Sequence, residues 1–254
     1  MNYDLQPFKT GLEQLHIELS ELQIEQFLDY YELLIEWNQV MNLTAIIEFQ
    51  DVIEKHFLDS LSLVKIMDLR RPLKVIDVGT GAGFPGIPLK IAFPQLNITL
   101  LDSLNKRVGF LNQAIERLKL DFDYNIQNSV NILKNNAITA IHGRAEEIAK
   151  SLKYREQYDL CVSRAVANLS TLSEYCLPFV KVGGHFISYK SGKIQEEAAQ
   201  AEKAIKILGG KSTDITAFSL SQNGPERSFV KISKIKTTPA KYPRKAGTPS
   251  KQPL

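Results

Sequence analysis

The stretch Asp77-Val78-Gly79-Thr80-Gly81-Ala82-Gly83-Phe84-Pro85-Gly86 holds the residues whose types and spacing could do chemistry. The β-branched pair Val75-Ile76 runs into the carboxylate of Asp77 and breaks into alternating glycines, after which Ile87, Leu89, Ile91 and Phe93 follow in an apolar pattern. That order predicts strand, glycine turn, helix. Glycine permits positive φ and lets backbone N–H groups come up against a ligand that a Cβ would hold off. The turn therefore predicts a nucleotide-like ligand. A glycine turn with nothing above it is disfavoured, because three alternating glycines behind a buried strand weaken the fold unless the space is used.

Two glycine spacings overlap in these residues. Gly81 to Gly86 satisfies G-x-G-x-x-G, the dinucleotide fingerprint, and Asp77 to Gly83 satisfies D-x-G-x-G-x-G. A pyrophosphate needs free N–H donors at the helix start, yet Pro85 and Pro88 each remove one. A carboxylate at the strand end also repels a pyrophosphate but attracts the cationic amino acid end of S-adenosylmethionine. The pattern favours the methyl donor over NAD. An NAD-dependent oxidoreductase is further disfavoured because no His or Tyr-Lys pair stands out for hydride chemistry. A non-catalytic RNA- or nucleotide-binding module stays in view as the other alternative.

The elements that must position this turn follow along the 254 residues. Composition is that of a globular protein, 44% hydrophobic and 23% charged, and no apolar run is long enough for a span or a signal peptide. A soluble, cytoplasmic protein is expected. Cys161 and Cys176 lack C-x-x-C spacing and read as buried free thiols, and the four histidines form no metal pattern, so no metal is expected. The first seventy or so residues read as helical. Ser20-Glu21-Leu22-Gln23 is a capping box, with Ile24, Phe27, Leu28, Tyr31 and Ile35 on the apolar face of a helix ending near Trp37-Asn38. After the polar break Asn42-Leu43-Thr44, a second helix starts near Phe49 with Ile53, Phe57, Leu61 and Val64 on one face. His56 and Asp59, at i and i+3 on the other face, read as a surface pair in preference to a catalytic couple.

Beyond the turn the β-α alternation continues. Asn97 to Asp102 is the second strand, and Asp102 stands where such folds place a carboxylate on ribose hydroxyls. Lys106 to Leu120 is a helix, 121–136 a polar loop, Ala137 to His142 a third strand and Arg144-Ala145-Glu146-Glu147 the start of a helix, with the third strand's end beside the adenine. Tyr158 to Ser163 is the fourth strand, and its exit puts Arg164 beside the transferring group, since ligands sit outside the carboxyl ends of parallel strands. Amino-nitrogen methyltransferases carry an acidic or amide residue followed by prolines there, and that motif is absent. A helix from about Leu169 to Val180, a strand from His185 to Lys190, a helix from Ile194 to Leu208 and an antiparallel pair, Ile215 to Leu220 with Phe229 to Ile235, complete the alternation.

Charge is uneven. The last acidic residue is Glu226, and the eight Lys or Arg from Arg227 onward leave a body of about −5 carrying an end of +8. This proline-punctuated end reads as an arm for phosphates as well as it reads as a solubilising terminus, and Tyr242 between Lys241 and Arg244 offers a stacking surface that tilts the reading toward nucleic acid.

Taken together, Trp37-Asn38, Asn42-Leu43-Thr44, Lys55-His56-Phe57-Leu58-Asp59-Ser60, the glycine turn, Leu101-Asp102-Ser103, Lys106-Arg107, Arg144-Ala145-Glu146, Ser163-Arg164-Ala165 and Lys241-Tyr242-Pro243-Arg244-Lys245 resemble the RsmG (GidB) family over nearly the whole chain. The resemblance implies methylation of N7 of one guanine in bacterial 16S ribosomal RNA, with S-adenosylmethionine as cofactor. It implies a Rossmann-like class I methyltransferase fold, an α/β architecture with a mostly parallel seven-stranded sheet, helices on both faces and an N-terminal helical cap. The expected division is 1–70 cap, 71–236 methyltransferase domain and 237–254 basic tail. The family's cofactor contacts fall on Gly79, Phe84, Ala145, Glu146 and Arg164, with Asp102 matching the second strand's acidic end; Asp77 and Gly81 join them from the turn itself. Asn42, His56 and Arg164 are expected to line the base pocket, and Lys106, Arg107, Lys241, Arg244 and Lys245 to hold RNA phosphates. The expected partner is 16S RNA, free or in the small subunit or its precursor, and the expected state is a monomer away from membranes. The stretch 121–136 is longer and richer in Asn than the family pattern.

Overall fold

The computed structural model describes residues 3–121, 137–164, 167–192, 194–220 and 226–254. The expected loop over 121–136 therefore lies, beyond its first residue, outside the described residues. Seven strands form one sheet: β1 (Lys74–Val78), β2 (Asn97–Asp102), β3 (Ile138–His142), β4 (Tyr158–Ser163), β5 (Val180–Ser191), β6 (Gly210–Ser219) and β7 (Glu226–Lys234). Their order is β3-β2-β1-β4-β5-β7-β6. The first five are parallel, and β7 runs antiparallel between β5 and β6. Chain order reverses between β1 and β4, which makes the space above those two strand ends the place for a ligand.

The N-terminal part contributes α1 (Gln6–Gln14), α2 (Glu21–Met41) and a helical run built from α3 (Phe49–Val52), a π-helical turn (Ile53–Leu58), α4 (Asp59–Leu61) and a 3-10 turn (Ser62–Lys65). The capping box forms as expected: Ser20 Oγ accepts from the Gln23 N–H, and Gln23 Oε1 accepts from the Ser20 N–H. The helix runs to Met41, past Trp37-Asn38, because nothing in that turn breaks it, and it stops where Asn42 takes φ 48°. The apolar pattern before Ser20 was not resolved into a helix by sequence, and α1 packs Phe8 and Leu12 there.

These helices do not form a core of their own. Phe27, Tyr30, Leu33 and Phe57 share one apolar cluster with Val75, Leu89, Leu100 and Leu160 from the sheet side. Two glutamines reinforce it: Gln23 Nε2 donates to the carbonyl of Ile91 at 2.7 Å and Gln26 Nε2 to that of Leu118 at 2.7 Å. The cap is thus packed as a third layer on the sheet's α5 (Gly86–Ala92) and α6 (Asn105–Arg117) side. On the opposite face lie α7 (Ala145–Ile148), α8 (Leu169–Cys176) and α9 (Gln195–Ile207), over a second cluster that contains Ile76, Cys161, Phe186 and Ile232. Cys161 and Cys176 are buried free thiols.

Other boundaries also differ from the sequence reading: α8 ends at Cys176, before the expected Val180, and β6 starts at Gly210, ahead of the expected Ile215. Strand β5 starts at Val180, ahead of the expected His185, because Gly183-Gly184 lies within the strand at an irregularity in its pairing with β4. The expected tail is also not free. A final short helix, α10 (Thr248–Lys251), and the residues before it lie on the body, where Tyr242 is 7% exposed and belongs to the second apolar cluster. Tyr242 is therefore no stacking surface for a base, since burying its ring against the core is worth more than leaving it in water.

Candidate active site

The carboxyl end of β1 delivers Asp77 into the glycine turn. Its Oδ2 accepts from Thr80 Oγ1 at 2.6 Å and from the Gly86 N–H at 2.9 Å, so one carboxylate oxygen ties the two ends of the turn together. Burial pushes this carboxyl up to about 6 despite those two bonds. Oδ1 has no hydrogen-bond partner. A buried carboxylate oxygen left unsatisfied is costly, and Oδ2 is spent on the loop.

The glycines divide by task. Gly79 and Gly81 take φ 75° and 63°, and a Cβ on Gly81 would meet nothing within 4 Å, so it faces open space. Gly83, at φ 97°, is packed: a Cβ there would lie 2.5 Å from Ile87 Cδ1 and 2.7 Å from Tyr30 Oη. Tyr30 comes from the cap and donates its hydroxyl to the Ala82 carbonyl, which fixes the turn from behind. Asp102, at the end of β2 and 3% exposed, accepts from the Gly81 N–H at 3.0 Å and the Leu104 N–H at 2.9 Å. Arg107, at the start of α6, lies 3.5 Å from the same carboxylate, while Lys106 beside it is exposed. One strand further out, Ala145 and Glu146 open α7, with Glu146 4% exposed. An open, positive-φ turn between carboxylates at the ends of β1, β2 and beyond β3 fits a nucleoside that carries a cation and no phosphate.

The other wall is built around Arg164, directly after β4. Its Nη1 donates to Asp59 Oδ2 at 2.8 Å and to the Lys55 carbonyl at 3.1 Å, and its Nη2 lies 3.1 Å from His56 Nδ1. The guanidinium stands over the Phe84 ring, 5.0 Å from its centroid, and His56 stacks on the same ring at 4.4 Å. Cation–π contact and stacking hold Arg164 against the glycine turn. Asp59 is 3% exposed and takes a second arginine, Arg227 of β7, whose Nε donates to Oδ1 at 2.9 Å. One buried carboxylate therefore orients two guanidiniums.

His56 and Asp59 are not a surface pair. The π-helical turn Ile53–Leu58 shifts the helix phase and turns both side chains inward. Burial and the Arg164 charge push the His56 imidazole down to about 3. It is neutral, with Nδ1 at 3.1 Å from both Arg164 Nη2 and the Lys55 carbonyl and Nε2 at 2.9 Å from Thr44 Oγ1. Thr44 is in turn held by Asn38, which accepts from its N–H and donates to its carbonyl. The structure thus joins His56 and Arg164 but places the expected Asn42 elsewhere, exposed at the end of α2, where a left-handed backbone serves the helix C-cap. Thr44, and not Asn42, is the residue of that stretch that contacts His56.

Sequence reading missed Thr44, Asp59 as the bridge, Arg227 and the pair Lys190–Glu197, in which Lys190 Nζ lies 2.6 Å from Glu197 Oε1. Asp59, Arg227, Lys190 and Glu197 line a cavity of about 520 Å³ with Lys55, His56, Arg164, Tyr189 and Ser191, while Thr44 stands behind His56. The run Lys55 to Ser60 was visible as a motif; nothing local tied it to residues 108 and 168 positions away. Of the expected phosphate contacts, Lys241 and Lys245 are exposed, whereas Arg244 is committed to Glu174 through bonds of 2.6–3.0 Å. Its Nε and Nη2 are turned onto Glu174 and the Gln252 carbonyl, away from a bidentate grip on phosphate. Among the described residues no cluster of His, Cys, Asp and Glu suits a metal ion, and no helix is long and apolar enough to cross a membrane.

The sheet order, the glycine turn and the carboxylates above it define a Rossmann-like S-adenosylmethionine-dependent methyltransferase. Solved structures share the fold. A SAM dependent methyltransferase from Aquifex aeolicus aligns with TM-score 0.51 at 15% identity, covering 73% of this chain and 93% of that one. M. jannaschii TYW2 in complex with AdoMet aligns at 0.52 and 15%, covering 75% and 80%. The family model described as GidB, rRNA small subunit methyltransferase G, matches residues 23–228. Relatives described as ribosomal RNA small subunit methyltransferase G are 53% identical in Lachnoclostridium phytofermentans, over 99% of this chain and 98% of that protein, and 52% in Alkaliphilus oremlandii, over 97% of each. The chain belongs to the GidB family of ribosomal RNA small subunit methyltransferases.

Proposed function

We propose that the protein transfers the methyl group of S-adenosylmethionine to N7 of a guanine in 16S ribosomal RNA. The observation that carries this reading is Arg164, held by Asp59, His56 and Phe84 at the mouth of the glycine turn. When bound, S-adenosylmethionine supplies an electrophilic methyl on a sulfonium. Guanine N7 carries a lone pair and no proton, so attack on that carbon needs no general base. The neutral His56, with both nitrogens engaged, has no proton to take, and it serves to orient Arg164.

The residues of the chain then act by holding and excluding. Asp77 Oδ1 and Asp102 favour the cation and the ribose of the cofactor, with Gly79, Gly81, Phe84, Ala145 and Glu146 shaping the space between. Arg164 engages three of a guanidinium's five N–H donors within the protein. The remaining donors suit guanine O6 or a phosphate; a donor on N7 would occupy the lone pair that attacks. Alignment in such a site can lower a barrier by about 7–11 kcal/mol through effective molarity. The cavity of about 520 Å³ beside Arg164 accommodates the base and its flanking phosphate, and the exposed Lys106, Lys241 and Lys245 offer further phosphate contacts. The reading includes a monomer acting in the cytoplasm without a metal.

Calorimetry with S-adenosylmethionine and with NAD, followed by transfer of labelled methyl to 16S RNA, free or within the small subunit, tests this. Binding of the methyl donor alone and label in RNA are expected. Binding of NAD, or S-adenosylmethionine binding with no transfer to either RNA form, would overturn it.

A further inference from the structure

We propose that residues 237–254 brace the adenosine end of the cofactor site by holding Glu146 in place. This rests on the reading of Ala145 and Glu146 as cofactor contacts and extends it to a segment outside the glycine turn. Helix α7, which carries both residues, is a single turn of four residues, too short to hold its own shape. Something else must fix it. Glu146 is 4% exposed, and its Oε1 accepts from the Gly247 N–H at 2.8 Å, a bond spanning 101 positions.

Gly247 is itself held at several points. Arg244 forks onto Glu174 of α8, with Nη2 to Oε2 at 2.6 Å and Nε to Oε1 at 3.0 Å, and its own N–H donates to Oε1 at 2.7 Å. Glu174 has a side-chain exposure of 1%, so this pair is desolvated on the acidic side. Thr171 Oγ1 donates to the Pro249 carbonyl, and Arg155 grips the carbonyls of Thr238 and Tyr242 at 2.8 and 2.9 Å. Arg244, expected to reach for phosphates, is turned inward, and it locks a strap that meets the site at the buried acceptor on α7. The strap orders Glu146 before a nucleoside arrives, so the ordering is not charged against binding.

The test compares full-length wild-type protein with Arg244→Ala and with Glu174→Gln/Arg244→Ala, which leaves no buried charge unpaired. Calorimetry is run with S-adenosylmethionine and with 5′-methylthioadenosine, which lacks the amino acid end; Lys251→Ala is the exposed control. Both variants are expected to weaken both ligands by the same factor, about tenfold, as suits loss of a preorganised charge-assisted contact. RNA affinity and its salt dependence are expected to stay at the wild-type values. A purely structural role would not move the two ligands together at unchanged RNA binding. Unchanged nucleoside affinity in the folded double variant, a loss confined to S-adenosylmethionine, or a reduced RNA salt slope with nucleoside affinity intact would each overturn the brace. Wild-type protein that bound neither ligand would instead strike the reading of the site itself.

Discussion

The two walls of the site are made by opposite means. The wall over β1, β2 and β3 presents carboxylates and backbone N–H groups from a turn whose parts are close in sequence, with Asp77 bonded to Thr80 and Gly86. The wall over β4, β5 and β7 presents two guanidiniums, Arg164 and Arg227, gathered from distant parts of the chain by the single carboxylate of Asp59. Under the proposed function the first suits a cationic nucleoside and the second an anionic polymer.

Breaking the basic wall is expected to have the largest effect. Asp59→Ala leaves two arginines facing each other without their carboxylate, and the lost buried pair costs about 3–5 kcal/mol. Thermal unfolding is expected to shift down accordingly, with RNA methylation falling furthest of all variants while S-adenosylmethionine affinity in the folded fraction changes little. Arg164→Ala removes the oriented donor alone: kcat is expected to drop about 10²-fold, and full methyl transfer by this variant would show that the clamp has no catalytic role.

The acidic wall separates ligand from fold at two glycines. Gly81→Ala forces a left-handed residue at roughly 1–2 kcal/mol and places a methyl in the open space, so S-adenosylmethionine affinity is expected to fall with a modest change in Tm. Gly83→Ala strikes Ile87 and Tyr30, and stability is expected to fall more than affinity. Equal effects of the two on Tm would erase the distinction.

The walls also differ in how they were visible. The glycine turn, Asp102 and the end of β4 could be located from sequence because strand ends and turn residues are local signals and parallel topology puts them on one edge. His56 and Asp59 could not, since a π turn adds a residue to the helix without leaving a local signature, and helical spacing then assigns the wrong face. Arg244 and Tyr242 were misread for a related reason. Charge and proline content describe a segment's composition, while its place on the body is decided by a carboxylate and an apolar pocket in α8 and the sheet, 70 or more positions away.

Smaller effects sharpen the contrast. Asp77, raised to about 6 in the folded protein from an ordinary value near 4, is ionised above pH 6 and protonated below it. Its raised value means that ionisation costs stability above pH 6, a cost relieved as pH falls toward 4. S-adenosylmethionine affinity runs the other way and is expected to decline below pH 6 as the carboxylate is neutralised. Asp77→Asn is expected to flatten that pH dependence, which calorimetry between pH 5 and 8 checks. Least of all, Lys106→Ala is expected to reduce the slope of log affinity for RNA against log salt by about 0.7–0.9, the share of one phosphate contact.

The most direct measurement of the central claim is the chemical identity of the methylated nucleoside. Small-subunit RNA treated with the protein and deuterated-methyl S-adenosylmethionine is digested to nucleosides and read by mass spectrometry. The account predicts that the label appears in 7-methylguanosine alone, as expected for attack by a proton-free ring nitrogen that needs no base. Label on an exocyclic amine or a ribose hydroxyl, each of which must lose a proton, would contradict it.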